Sequence, residues 1–323
     1  ATGTGIFPEL SFDKKLNSYK LWAYAQYTRW LINRISVTPG LRVDYFDYVE
    51  QGLSVSPRLS LRYYLSERTS VNASAGIYYQ TPVYLWLSTD DRNRRLKPLR
   101  ADHIIVGIEH LVMDDLRFTV DLYRKEYRHY PVSGYIPSYI LANGGAAAGA
   151  FIAGDLRSVG TGFANGVELF LQKKLTENYY GTISYSFSRT RFKALDLVLR
   201  PGNYDYGHVL TLIAGYKVSN TLELSAKWRY TAGGPYTPID EQASRFFGRE
   251  VLDLSRINAV RYPPYHRLDL RADVRFSIAG LEAIAYIDLQ NAYNRKNIFF
   301  YSWNDDKEKQ VTAYQWSLLP ILG

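Results

Sequence analysis

Between His266 and Phe276 the chain alternates without a break. Leu268, Leu270, Ala272, Val274 and Phe276 hold one parity, and Arg267, Asp269, Arg271, Asp273 and Arg275 hold the other. Successive side chains of a strand point to opposite faces, so as a strand this segment has one apolar face and one fully charged face. A helix would scatter the same residues around its circumference. The charges alternate in sign along their face, which lets them pair with each other and with neighbouring strands. Two environments demand such a segment: a soluble sheet with one wet face, or a membrane barrel with a wet lumen.

Composition narrows the choice. With 46% hydrophobic and 22% charged residues in 323, the chain is not of the disordered class. Its 29 Tyr, 14 Phe and 6 Trp suit a protein with two apolar–aqueous boundaries, because a tyrosine ring is apolar and its hydroxyl seeks water. No stretch approaches the roughly 18 apolar residues of a membrane-crossing helix. The longest candidate, 144–154, is too short and too rich in glycine. A helical membrane protein is thereby excluded and a barrel is not. Cysteine is absent, which removes disulfides and thiolate metal sites. The net charge is +8, but Lys and Arg are spread along the strands and form no tract, so nucleic acid is not an expected partner.

Strand-like runs are expected near 19–30, 34–46, 54–65, 69–80, 101–112, 115–127, 162–175, 179–192, 204–217, 221–232, 265–277, 281–294 and 310–322, with residues 1–18 as loop. Leu59, Leu61, Tyr63 and Leu65 oppose Arg58, Ser60, Arg62 and Tyr64, and Leu222, Leu224, Ala226, Trp228 and Tyr230 oppose Glu223, Ser225, Lys227 and Arg229. Every second connection is a tight turn, at 31–33, 66–68, 113–114, 176–178, 219–220 and 277–280. Those between, near 47–53, 81–100, 128–161, 193–203, 233–264 and 295–309, are mostly long. Tight turns then share one rim and long loops the other, as in outer-membrane barrels with short periplasmic turns and long external loops. Sandwiches follow no such rule. The expectation is an all-β, transmembrane antiparallel barrel. Thirteen runs starting outside make an odd count, which single-chain bacterial barrels do not have. With no initiator Met or signal peptide at Ala1, the whole of 1–323 is expected to be the C-terminal portion of a larger barrel, with a few residues missing at its end as well.

At these residues the sequence resembles the C-terminal part of the barrel of TonB-dependent outer-membrane receptors. The matching pieces are Thr38–Asp44, Ser56–Leu61, Leu96-Lys97-Pro98, Gly166-Val167-Glu168, Tyr204–His208, Gly233–Pro238 and Asn291–Arg295. Their order and spacing span nearly the whole chain; they say nothing of the ligand. The resemblance implies a 22-stranded barrel, an N-terminal plug domain inside it, and a segment before the plug that contacts the TonB complex. The first strands, the plug and the TonB-contacting segment match nothing in this sequence, and the family's energy-coupling residues fall on no position here.

Several groups of residues are open to two readings. Arg58, Arg62, Asp121, Glu168, Asp269, Arg271, Asp273 and Arg275 point inward, as a self-paired solvated lumen wall or as contacts for a plug or passing solute. Arg92, Arg94 and Arg95, with Asp90 and Asp91, form either a solvated loop tip or a site for an anionic ligand or lipopolysaccharide phosphate. The two longest loops carry Tyr127, Tyr130, Tyr135 and Tyr139, then Phe246, Phe247, Tyr262 and Tyr265. These rings either stack on a ligand or pack the loops shut. His103, His110, His129, His208 and His266 show no metal-ligand spacing, no Gly-x-Ser-x-Gly elbow occurs, and Gly160–Gly166 opens a strand rather than a helix. No metal, cofactor or catalytic residue is expected.

The reading is a wall of an active importer for a scarce solute: an iron chelate, a cobalamin-like molecule, a glycan or a peptide. Its partners are outer-membrane lipid and lipopolysaccharide, its own plug, the TonB complex and the nutrient itself. The competing readings are a passive porin and, further off, a barrel enzyme or adhesin.

Overall fold

The computed structural model describes residues 15–143 and 154–323. Of the expected loops, residues 1–14 and most of the glycine-rich 144–154 stretch lie outside the described residues.

Thirteen strands follow one another across a single antiparallel sheet in chain order. The path begins with Lys20–Gln26 and Ile35–Phe46, with Arg29–Ile32 pairing beside the latter. Leu53–Ser66, Thr69–Gln80, Leu99–Met113, Leu116–Ser133, Leu156–Thr176 and Tyr179–Lys193 come next. Gly207–Lys217, Leu222–Thr231, Tyr265–Ile278, Leu281–Gln290 and Leu319–Leu322 complete it. The sheet does not close: its first and last strands each have one neighbour along this path.

The alternation in the sequence becomes two continuous surfaces because the register keeps like beside like. Leu212 faces Trp228, which faces Leu268, on the apolar side. One residue along, Ser225 faces Arg271 and Lys227 faces Asp269 on the polar side. The apolar side is open: Leu59, Leu61, Ile104, Val106, Leu122, Leu270 and Val274 all count among the exposed large hydrophobic residues. In water such a surface would be an aggregation site; in a bilayer it is the solvated one.

The buried apolar side chains are elsewhere. Phe46, Val49, Leu87, Leu96, Leu141 and Leu156 form one cluster and Val132, Ile140, Phe192 and Ala194 another. All belong to the long connections or to the strand ends that rise into them. The connections therefore form a packed cap. Inside it lie short helices that the alternation analysis did not anticipate, Tyr84–Thr89, Asp91–Arg95 and Glu241–Phe247.

Several boundaries differ from expectation: 115–127 extends to Ser133, 162–175 begins at Leu156, 204–217 begins at Gly207, and 19–30 divides into Lys20–Gln26 and Arg29–Ile32. Two more differences lie near the end of the chain. The run 310–322 divides: Lys309–Tyr314 pairs with Ile298–Asn304 in a separate hairpin, and only Leu319–Leu322 joins the wall. The hairpin runs from Asn304 to Lys309 through a short turn, and Asn294 accepts from the Leu318 amide at 3.0 Å where the chain returns to the wall. The strand expected over 281–294 stops at Gln290, where Asn291 and Asn294 take left-handed backbone angles of 53° and 54°.

Candidate ligand site in the cap

The strand Leu116–Ser133 shows how wall becomes cap. Its pairing slips between Tyr127 and Tyr130, and His129 sits there with φ 61°. Such a bulge re-aims the side chains that follow. Beyond it Tyr130 and Val132 turn into the Phe192 cluster, where the Phe192 ring lies over Gly162; a Cβ at that glycine would stand 2.3 Å from the ring.

The connections are tied to one another across the rim. Asn93 is fully buried, donates to the Trp86 and Gly154 carbonyls and accepts from the Leu156 amide. The Ser138 hydroxyl donates to the Leu254 carbonyl, and the Asp196 amide to the Pro137 carbonyl. Glu250 accepts from the Trp303 amide at 3.0 Å, and Arg245 pairs with Glu308 at 3.5 Å.

A cavity of about 450 Å³ opens between this cap and the polar face of the wall. Arg229, Thr231 and Tyr265 line it from the strands; Tyr206, Gly234, Tyr262 and Phe299 line it from the connections. Tyr262 is also the centre of a ring stack, with Tyr236 at 4.3 Å and Tyr301 at 5.2 Å between centroids. Burial pushes both the Tyr262 and Tyr236 phenols above their usual range, so they stay neutral donors. Gly233 allows the closeness: a Cβ there would sit 1.5 Å from the Tyr262 carbonyl oxygen. Arg229 faces Arg267 in register, and no carboxylate lies within ion-pair distance of it among the described residues.

The structure distributes the residues singled out in the sequence. Tyr262 lines the cavity. Tyr130 packs on the Phe192 cluster and Tyr139 on the Phe46 cluster, both as core. Tyr135 is 67% exposed. Phe246 and Phe247 meet edge to face, 81% and 56% exposed, away from the cavity. The three arginines are engaged one by one. Arg92 chelates Asp90, whose carboxylate raises its guanidinium further above the usual range. Arg94 donates to the Tyr48 carbonyl at 3.1 Å, and Arg95 stands 3.8 Å from Glu50.

On the wall, the register puts all eight charged residues on one face. Arg267–Asp269 and Arg271–Asp273 form forks within one strand, at 2.8 and 2.6 Å, and Arg275 reaches Glu223 at 2.8 Å. Arg58 instead lies 4.4 Å over the Tyr78 ring and Arg62 donates to Asn72 at 2.7 Å, with no acidic partner among the described residues. Asp121 faces Glu168 in register. Each histidine has an isolated neighbour, such as Thr69 for His110 and Tyr293 for His266. Sequence reasoning put Arg229 on the polar row of its strand without singling it out, and it missed the roles of Asn93 and Asp205, because a single polar residue in a loop carries no periodic signal.

A two-faced wall with every long connection at one rim defines an outer-membrane β-barrel. The chain belongs to the TonB-dependent receptor-like β-barrel family, whose profile matches residues 2–294. Among solved structures it is similar to the ferric-catecholate import receptor Fiu of E. coli K12, with TM-score 0.66 and 13% identity over 94% of this chain and 44% of that one. It is similar to a variant of the ferric enterobactin receptor PfeA of Pseudomonas aeruginosa at TM-score 0.65 and 19% identity, over 86% of this chain and 40% of that one. The iron transporter FrpB of Neisseria meningitidis gives TM-score 0.60 and 16% identity, over 94% and 43%. The chain thus spans less than half the length of these structures. No curated protein matches it.

Proposed function

We propose that this chain is the ligand-binding and conducting part of an outer-membrane receptor that imports a ferric chelate by TonB-dependent active transport, and that it is not an enzyme. The observation that carries the reading is the cavity under the cap: an arginine with no carboxylate partner among the described residues, bordered by Tyr206, Tyr262 and Phe299. A guanidinium beside neutral phenols suits a planar, anionic, aromatic-bearing chelate, by charge and by stacking. The similar structures named for ferric catecholate and ferric enterobactin support the same ligand class. In this reading residues 1–323 are the C-terminal portion of the barrel, and the plug and TonB-contacting segment belong to other parts of the receptor. Lipopolysaccharide contacts belong to the exposed arginines of the cap.

The test uses the full-length receptor and a ferric tris-catecholate. Arg229→Gln lowers surface binding by roughly tenfold, the scale of one charge-assisted contact. Accumulation stops when TonB is removed while surface binding persists. Accumulation that continues without TonB replaces this reading with a passive porin.

A further inference from the structure

Asp205 is the most buried carboxylate among the described residues, 1% exposed, and it does not line the cavity. It lies directly behind it, between Asn203 and Tyr206, which do. One carboxylate oxygen accepts from the Thr190 amide at 2.7 Å. The other accepts from Arg191 at 2.5 Å and from Arg261. Arg261 donates in addition to the Asp205 carbonyl at 2.6 Å and to the Gly233 carbonyl at 3.0 Å.

The knot continues sideways. Asn258, 4% exposed, donates to the Pro201 carbonyl at 2.9 Å and to the Asn203 side chain at 2.7 Å. Asn203 donates through its side chain to the Asn143 carbonyl, and through its amide to the Asn143 side chain at 3.2 Å. Three connections, the first through Asn143 and the others through 194–206 and 232–264, therefore meet in one polar cluster around the buried Asp205, which holds the last two directly and the first through Asn203. Two part-exposed guanidiniums converge on one buried carboxylate, so removing Asp205 leaves like charges facing each other and the Thr190 amide without its acceptor.

We propose that Asp205 is a positioning residue that pins these three connections into one body and so sets the walls of the cavity. Its bearing on ligand recognition rests on the import reading above; the pinning does not. A carboxylate that merely capped the strand end would need the Thr190 amide alone. The second arginine, contributed by a different connection, is what extends the hold across the cap.

The experiment is limited proteolysis of the full-length receptor on intact cells, with heat-modifiable migration as the measure of an assembled barrel. Asp205→Ala raises cleavage in all three connections by about tenfold or more while the barrel remains heat-modifiable. Asp205→Asn keeps volume and the Thr190 acceptor and gives a smaller rise with the same three-site pattern. Adding Arg261→Gln to Asp205→Ala gives a smaller further rise than Arg261→Gln gives alone, because the two share the carboxylate contact while Arg261 keeps its bonds to the Asp205 and Gly233 carbonyls. Cleavage confined to 194–206, unchanged cleavage everywhere, or strictly additive effects overturn the proposal. Loss of the assembled barrel in both Asp205 variants also overturns it, since the residue then serves the wall. Ferric tris-catecholate affinity, measured in parallel, falls with the same variants. If the unaltered receptor binds no such probe, the import reading fails and the proteolysis result still decides the pin.

Discussion

The wall and the cap are built from the same chain by opposite rules. The wall leaves its apolar side chains uncovered, Ile104 at 59% and Leu122 at 56% exposed, and its cohesion comes from strand ladders and from lipid on one side. The cap hides Phe46, Leu87 and Val132 completely and satisfies Asn93 and Asp205 with convergent partners. A globular core has been placed on one rim of a structure that has none in its span. The two regions should therefore fail separately, and substitutions that hit one should spare the other.

The largest effect is expected in the cap. Phe46→Ala removes the centre of the first cluster and should cost about 3–5 kcal/mol of local stability. Hydrogen exchange in 84–96 and 139–143 would accelerate while the barrel stays heat-modifiable. Simultaneous collapse of wall and cap would show that they are one cooperative unit. In the wall, Leu270→Arg in the full-length receptor should cost about 2–4 kcal/mol if the residue lies near the bilayer midplane. Unfolding in liposomes measures it. Arg271→Leu, next along the strand, should cost about 1 kcal/mol or less, because water and the other polar groups of that face can take over its contacts to Asp273. A reversed order would exchange the two faces.

The smallest effect concerns protonation at the cap's edge. The Arg200 guanidinium, chelating Asp196 at 2.7 and 3.0 Å, holds that carboxyl below the usual carboxylate range. Its contribution is complete above the unfolded carboxylate value near 4 and declines as pH falls through the depressed folded value. Protection of the 194–200 amides should accordingly weaken only in that acid window. Arg200→Gln should remove the pH dependence.

How much of this was legible follows from the same contrast. The wall is periodic, so Leu59, Leu61 and Tyr63 against Arg58, Ser60 and Arg62 announce a strand, its two faces and, through the turns, its neighbours. The cap is aperiodic. Asp90–Arg95 reads as a charge cluster, yet it is a turn of 3-10 helix whose Asn93 points into the core. Tyr130, Tyr139 and Tyr262 are the same residue type in similar loops; only their neighbours separate core from cavity lining. One cap element was readable in hindsight: Asp240 accepts from the Ala243 amide and Gly248 closes the same helix in a left-handed conformation, the usual brackets of a short helix.

The forks of the polar face carry a further consequence. Arg42 with Asp44, Arg267 with Asp269, and Arg271 with Asp273 are each two residues apart on a single strand. At these three places the strand brings its own counterion, so the pair is matched before any neighbour arrives. Arg275 is different, since its carboxylate, Glu223, comes from the adjacent strand. Where a fork is internal to one strand, a hairpin can be laid against the growing edge on the fit of its apolar side and the length of its turn, and the fork itself waits for no mate.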